Sequence, residues 1–569
     1  MALLGASFQI GRSALAAYQA ALSIVGQNIA NVGNPDYTRQ SGSLTPLVGG
    51  PAADGINPGA GVRMSQLRRH IDEAVESRLR LSISARSAAQ TRYSALSQVE
   101  ALYNELTQQD VSSQLSDMFG SFGALQTEPT ESAARSQVIA TADGLVRSLQ
   151  RQRSGLVQQV GDLNTDLATA TRRAGEIADE IADLNGQIVA AASGASDASS
   201  PLRDRRDSLL RELSDLMDVQ VRHQENGSAN VYVGSEPLVE FDRSRGLRVE
   251  VTQQNGLEIG TVRFADNNGT VIVRDGKLAG IVTARDQGVV PQLDRLDTLA
   301  RGVIYEVNRV HSQGVGLVGY SSIAGLYDVN DPNAALNTTA AGLTFPVKNG
   351  TFVVNVRDPS SGQVITRQIE VDLDGLNNDD TTLNSLAADL SAVPGLSAIV
   401  TSDNRLQISA SGSGQFWFSD DSSGALAALG VGAFFSGTSA ADIDVVGAIR
   451  NDPRLIAASK SGGPNDGSNA GDLASLIEQS SALLSGASIQ GYHADTINAL
   501  AVATGAAQTE SDAGDSIYNG LVAQREAVSG VSLDEEAINL TKFEKAFQGA
   551  TRFLNVVDGL TSDVLSLVR

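Results

Sequence analysis

Two amphipathic stripes, one at each end of the chain, constrain this sequence most. The C-terminal stripe opens at Ser532-Leu533-Asp534-Glu535, where the Ser hydroxyl can take a free backbone N–H and Glu535 can reach back to the cap. Asp534, Glu535 and Glu536 place negative charge at the positive end of the helix dipole. Leu540, Phe543, Phe547, Ala550, Leu554, Val557, Leu560, Val564 and Leu567 follow at steps of three or four, the spacing of a helix seam. At the other end Phe8, Gly11, Leu15, Tyr18, Leu22, Val25, Ile29 and Val32 repeat those steps. A lone amphipathic helix is marginal in water, so each stripe needs a partner. The sequence therefore predicts that the two ends pair, with each other or with copies of themselves, and that the rest of the chain is an excursion from this stem. The expected assembly interface is Leu15, Tyr18, Leu22, Val25 and Ile29 with Leu540, Phe543, Phe547, Leu554, Val557, Leu560 and Val564. The competing reading is core packing within a monomer.

The intervening chain is long enough for several domains, at 569 residues in all. A net charge of -23 argues against nucleic acid and against an anionic membrane surface as partners. Without cysteine the chain can form no disulfide or thiolate metal site. No apolar run approaches the ~20 residues of a membrane span. The first thirty residues carry one charge, Arg12, inside the stripe, so they make a poor signal peptide. Export, if it occurs, is expected by a route that needs no cleaved signal.

Taken in order, a first helix is expected from about Leu4 to Asn31, stopped by Gly33 and Pro35. Residues 36–66 look extended, punctuated by Gly49-Gly50-Pro51, Gly55, Pro58, Gly59 and Gly61. Helical spacing returns near Ile71 and runs past Leu106, with a shorter helix around Leu115, Phe119 and Phe122. The longest pattern runs from Val138 to Ile188, a rod of roughly 80 Å at ~1.5 Å per residue. A polar break at 193–200 precedes Pro201, placed as a first helical residue. From Val219 the period changes to two, and Val231–Val233, Leu247–Val251 and Val271–Val273 read as strands. Helix returns from Pro291 to about Gly314. Residues 318–454 read as a larger β region containing one short helix at Leu383, Leu386 and Leu390, with Trp417 in its core. Helical pattern then resumes at Leu473 and continues through 520.

The expected fold class is therefore α+β multidomain: paired terminal helices as a coiled-coil stem, a long-helix middle domain and inserted mainly-β outer domains. The expected segments are 1–66 and 529–569 for the stem. The helical middle domain takes 67–218, 285–317 and 455–528, and the β insertions are 219–284 and 318–454.

No chemistry stands out. His70, His223, His311 and His493 form no close pair, which argues against zinc. Neither a phosphate-binding loop nor a nucleophile elbow is present. Asp328, Asn330 and Asp331 begin like a calcium loop but meet Pro332; Asp372 and Asp374-Gly375 lack a closing Glu. Both read as solvated turns. Asp204, Arg205, Arg206 and Asp207 read as a solvated face with local ion pairs. No catalytic group, metal or cofactor is expected, so the chain does not read as an enzyme.

The residues Asn28-Ile29-Ala30-Asn31-Val32-Gly33-Asn34-Pro35-Asp36-Tyr37-Thr38-Arg39-Gln40 resemble the N-terminal signature of bacterial flagellar axial proteins, closest in Pro35, Tyr37, Arg39 and Gln40 to the hook–filament junction members. Ser529-Gly530-Val531-Ser532-Leu533-Asp534-Glu535-Glu536-Ala537-Ile538-Asn539-Leu540 is similar to their C-terminal signature. Leu202 to Asp207, Gly276 to Gly280 and Asn308-Arg309-Val310-His311 resemble interior landmarks. Asn34 and Asp36 depart from the family's usual Thr and Gly, but both residue types tolerate turn conformations.

The resemblance implies a structural ring protein between hook and filament, with terminal helices lining a channel as a coiled coil. It implies as partners the chain itself, the hook protein, a second junction protein and a cytoplasmic export chaperone on the C-terminal helix. It also implies flagellar type III export to the cell exterior. Other readings are a hook or distal rod protein and a secreted coiled-coil adhesin with 318–454 as its head.

Overall fold

The computed structural model describes residues 2–48, 59–103, 110–192, 199–358, 361–377, 379–463 and 465–567. Residues 49–58, with their Gly and Pro punctuation, Leu106, residues 193–198 of the polar break and the side chain of Leu567 lie outside the described residues. The helices are α1 (Ala2–Ala30), α2 (Glu73–Tyr103), α3 (Val111–Thr127), α4 (Ser132–Ala192), α5 (Ser200–Leu216), α6 (Gly276–Thr283), α7 (Val290–His311), α8 (Leu383–Ser391), α9 (Ala425–Leu429), α10 (Gly447–Asn451), α11 (Ser468–Ser475), α12 (Ile489–Ser529) and α13 (Leu533–Leu567). All strand pairings are antiparallel and the sheets are small, which makes the fold α+β and multidomain.

The chain divides into two compact units: residues 1–94, 163–284 and 506–569, and residues 95–162 and 285–505. The division falls within α2, α4 and α12. α4 is unbroken for 61 residues. Its stripe from Val138 to Ile188 is buried at every predicted position but Leu184, which is half-buried.

In the first unit, β1 (Gln40–Leu47) and β2 (Gly61–Arg69) form a hairpin where the sequence suggested only extended chain. It lies on α1, close enough that a Cβ on Gly61 would meet Ser13 Oγ. Strands β3 to β6 (220–223, 229–233, 236–240, 243–244) form one sheet. Strands β7 (Leu247–Gln254) and β8 (Leu257–Phe264) form a ribbon closed by Asn255-Gly256. Both turn residues have positive φ, as a two-residue hairpin turn of this type requires.

Residues Val271–Val273 are a correction. They form no strand; the ladder ends in a single bridge between Arg263 and Thr270, and Ile272 is 68% exposed. The chain turns there to reach Gly276, whose φ of +83° and close approach to the Met217 backbone exclude a side chain.

In the second unit, strands 322–324, 350–357, 364–371, 396–400, 406–410 and 415–419 make two three-stranded sheets beside α8. Phe352, Phe416 and Phe418, all in one of these sheets, are buried and pack edge to face, Phe418 against the other two, and Trp417 is buried under Arg357. The predicted continuous helix after Leu473 is a second correction. α11 ends at Ser475, and a Ser480–Ser488 bridge with Ser485 at positive φ interrupts the chain before α12.

Candidate assembly interface at the chain ends

α1 and α13 pack along each other. Gly11 faces Leu554, and Asn28 bonds Glu536, so the pair is antiparallel. The closest approach is at a glycine. A Cβ on Gly11 would come within 2.6 Å of Leu554 Cγ, and α1 buries Gly11, Ala17, Ala21, Val25 and Asn28. Among described residues α13 buries only Glu536, Ala550 and Val557.

The predicted interface residues accordingly divide. Val25 and Val557 are buried, whereas Leu15, Tyr18, Leu22, Ile29, Phe543, Phe547, Leu554 and Val564 are half-buried. Leu540 is exposed and Leu560 is 50% exposed. Phe8, Phe553, Val556 and Leu565 join them on the uncovered surface. Gly11 stands on the expected N-terminal stripe, but the period alone does not show that the two helices come closest there.

A polar lock closes the base of the pair. Asn28 Nδ2 donates to the Gln40 carbonyl at 2.8 Å, and its Oδ1 accepts from the Gln40 N–H and from Tyr37 Oη. The same Asn28 amide donates to Glu536 Oε2. Arg39 reaches Glu535 and Glu536, both at 2.8 Å, and its backbone N–H donates to the Ser529 carbonyl. Glu536 is 1% exposed, so its charge is held by these donors rather than by water. Burial, followed by the charges of Asp204 and Glu536, pushes the Tyr37 hydroxyl up to about 12, so it stays a donor. Glu535 thus serves Arg39, while its N–H stands 3.5 Å from Ser532 Oγ. The turn after α1 holds with Asn34 and Asp36: Asn34 Oδ1 accepts the Asp36 N–H, and Arg211 takes the Asp36 carboxylate at 2.9 Å.

A further correction concerns Asp204 to Asp207. Arg206 and Asp207 are buried, and Arg69 of β2 reaches Asp204 at 2.7 Å and Asp207 at 2.5 Å. The partner lies more than 130 residues away in sequence, which is why the run looked like a solvated helix face. Glu76 is a second buried carboxylate, held by Arg525 at 2.7 Å and Arg211 at 3.4 Å.

Asp380 joins Asp372 and Asp374, the one acidic group among the described residues with metal-ligand spacing. Asp372 and Asp380 each already accept a backbone N–H from the loop, from Asp374 and Gly375. No helix among the described residues is long and apolar enough to cross a membrane.

Residues 96–324 match the family described as "Flagellar hook-associated protein FlgK helical domain". Flagellar hook-associated protein 1 of Escherichia coli strain K12 is 24% identical over 578 residues, 98% of each chain. That of Salmonella typhimurium is 25% identical over 575 residues, again 98% of each. That of Bacillus subtilis is 25% identical over 54% of this chain and 67% of its own. In fold, the flagellar hook junction protein FlgK of Burkholderia pseudomallei superposes with a TM-score of 0.51 at 16% identity, over 80% of this chain and all of that one. Along nearly its whole length, and through its helical domain, this chain is similar to flagellar hook-associated protein 1.

Proposed function

We propose that this chain is a structural protein of the bacterial flagellum that forms the junction between hook and filament. The observation that carries the reading is the divided stripe. α1 meets α13 within one chain along one face only, with Gly11 against Leu554, and the large apolar residues left outside that contact, Leu540, Val556 and Leu560 among them, need cover from elsewhere. Several large apolar side chains exposed along one helix mark an interaction surface. The cover is a neighbouring copy in a ring, in which terminal helices pack side by side as a coiled coil.

The half-buried residues Leu15, Tyr18, Leu22, Ile29, Phe543, Phe547, Leu554 and Val564 border both contacts. The hook protein and a second junction protein are the partners along the axis, and a cytoplasmic chaperone covers α13 before export by the flagellar type III route. The region 318–454 is an outer domain, and the chain performs no catalysis.

Electron microscopy of cells lacking the chain tests this reading. Hooks without filaments, with flagellin released into the medium, are expected. Missing hooks would move the protein down the axis, and normal filaments would end the proposal.

A further inference from the structure

A cavity of about 450 Å³ in the first unit lies between the end of β2, the start of α5 and the turn at Gln224–Gly227. It is lined by four arginines, Arg68, Arg69, Arg203 and Arg206, in a chain whose net charge is -23. Their counter-charges are unevenly shared. Arg69 holds Asp204 and Asp207. Glu73, the cavity's other carboxylate, is engaged by His223 at 3.2 Å.

Arg206 is 2% exposed. Its Nη1 donates to Asn185 and to the Gly227 carbonyl, but its Nε has no hydrogen-bond partner and lies 4.0 Å from Asp207. Among the described residues Arg203 makes no side-chain hydrogen bond or ion pair, and its Nε is buried without an acceptor. Burial holds the Arg206 guanidinium below its usual range. Asp207 opposes that shift, and the charges of Arg203 and Arg69 reinforce it.

A buried guanidinium with an unpartnered Nε is costly, and a second, half-buried guanidinium beside it adds repulsion. Positive charge persists in such a place where an anion completes it. The geometry supports one. Gly227, at φ +88°, brings its turn so close that a Cβ would meet Arg203 Nη2 at 3.1 Å, and the N-terminal end of the 17-residue α5 adds the positive pole of its dipole. The volume suits a small ligand or an inserted side chain.

We infer that this cavity is an oxyanion site, in which Arg203 and Arg206 bind a phosphate or carboxylate group. The chemistry is shared by a free phosphate-type anion and by an acidic side chain of a second copy, and the site stands on its own whether or not the chain forms a ring.

Thermal unfolding of the full chain in inorganic phosphate, against chloride at equal ionic strength, is the test. The wild type should be stabilised saturably by phosphate, and Arg203→Gln should weaken that binding by about tenfold or more, the loss of one charge-assisted contact. Without phosphate, Arg203→Gln should leave the melting temperature unchanged or raise it, because it removes a repulsion. A residue kept for structure would lower it. Phosphate that hinders self-assembly of the wild type, with Arg203→Gln failing to assemble, identifies the second copy's carboxylate as the occupant. Assembly indifferent to both, with phosphate binding intact, identifies the free anion. No phosphate-specific stabilisation of the wild type, or the same stabilisation in Arg203→Gln, overturns the site.

Discussion

α7 and the α1–α13 pair are both amphipathic, yet they bury very different shares of their residues. In α7, 22 residues long, thirteen are buried, including Leu296, Leu299, Val303 and Val307. In α13, 35 residues long, the described buried residues are Glu536, Ala550 and Val557, one of them a carboxylate. α7 meets cover all round its apolar face, so its packing is complete within the chain. The terminal pair meets along one face, with Gly11 against Leu554, and leaves most of its bulky residues half-buried or exposed. The difference teaches that equal periodicity does not mean equal completion: one stripe ends in a core, the other in an unfinished interface.

Truncation should separate the two regions most sharply. Leu299→Ala in α7 should cost about 2–5 kcal/mol in urea unfolding, a cavity penalty, and a small effect there would break the contrast. A pH titration sharpens it next. His311 at the end of α7 is fully buried, with Nδ1 donating to the Gly432 carbonyl at 2.7 Å and Nε2 accepting the Ala457 N–H at 3.0 Å. Burial, opposed by the Gly432 carbonyl and aided by the Arg135 charge, pushes its pKa down to about 4. A base whose folded pKa lies below its unfolded value near 6.5 stabilises fully above pH 6.5 and loses that contribution as pH falls towards 4. The loss should be on the order of 3 kcal/mol, and His311→Phe should remove this slope from the pH–stability curve.

Glu536→Ala leaves Arg39 with Glu535 alone and Asn28 with the Gln40 carbonyl alone as acceptor, and should cost about 2–3 kcal/mol, read as faster hydrogen exchange in α1 and the first turns of α13. Unchanged exchange would dismiss the polar lock. Gly11→Val drives a branched side chain into Leu554 and should cost about 1–3 kcal/mol of overpacking, confined to the terminal pair in the same measurement. The smallest effect belongs to Leu560→Ala, below about 0.5 kcal/mol in the monomer because half of the side chain already meets water. A loss as large as that of Leu299→Ala would show that the outer face is already covered.

Much of the helical framework was legible because large apolar residues mark a 3.6 period, as from Val138 to Ile188. What periodicity could not show was where a partner is small or remote. A glycine at position 11 gives no sign of the close approach of Leu554. Asp204 and Asp207 find Arg69 through the fold, and Val271–Val273, β-branched and apolar, pair with β8 only through the Val271 N–H on the Val262 carbonyl. Asn28, Arg39 and Glu536 were visible only as parts of two end signatures, and the structure joins them in one lock. Asp380 carries no signal in the sequence, because the calcium pattern calls for a Glu farther along the chain.

The central claim is that the outer face of the terminal pair is the contact between copies. Leu560→Asp, introduced in cells in place of the wild type, tests it most directly, with the purified monomer melted alongside and the cells viewed by electron microscopy. The account predicts a monomer that melts like the wild type and cells bearing hooks without filaments. Normal filaments on those cells would contradict it.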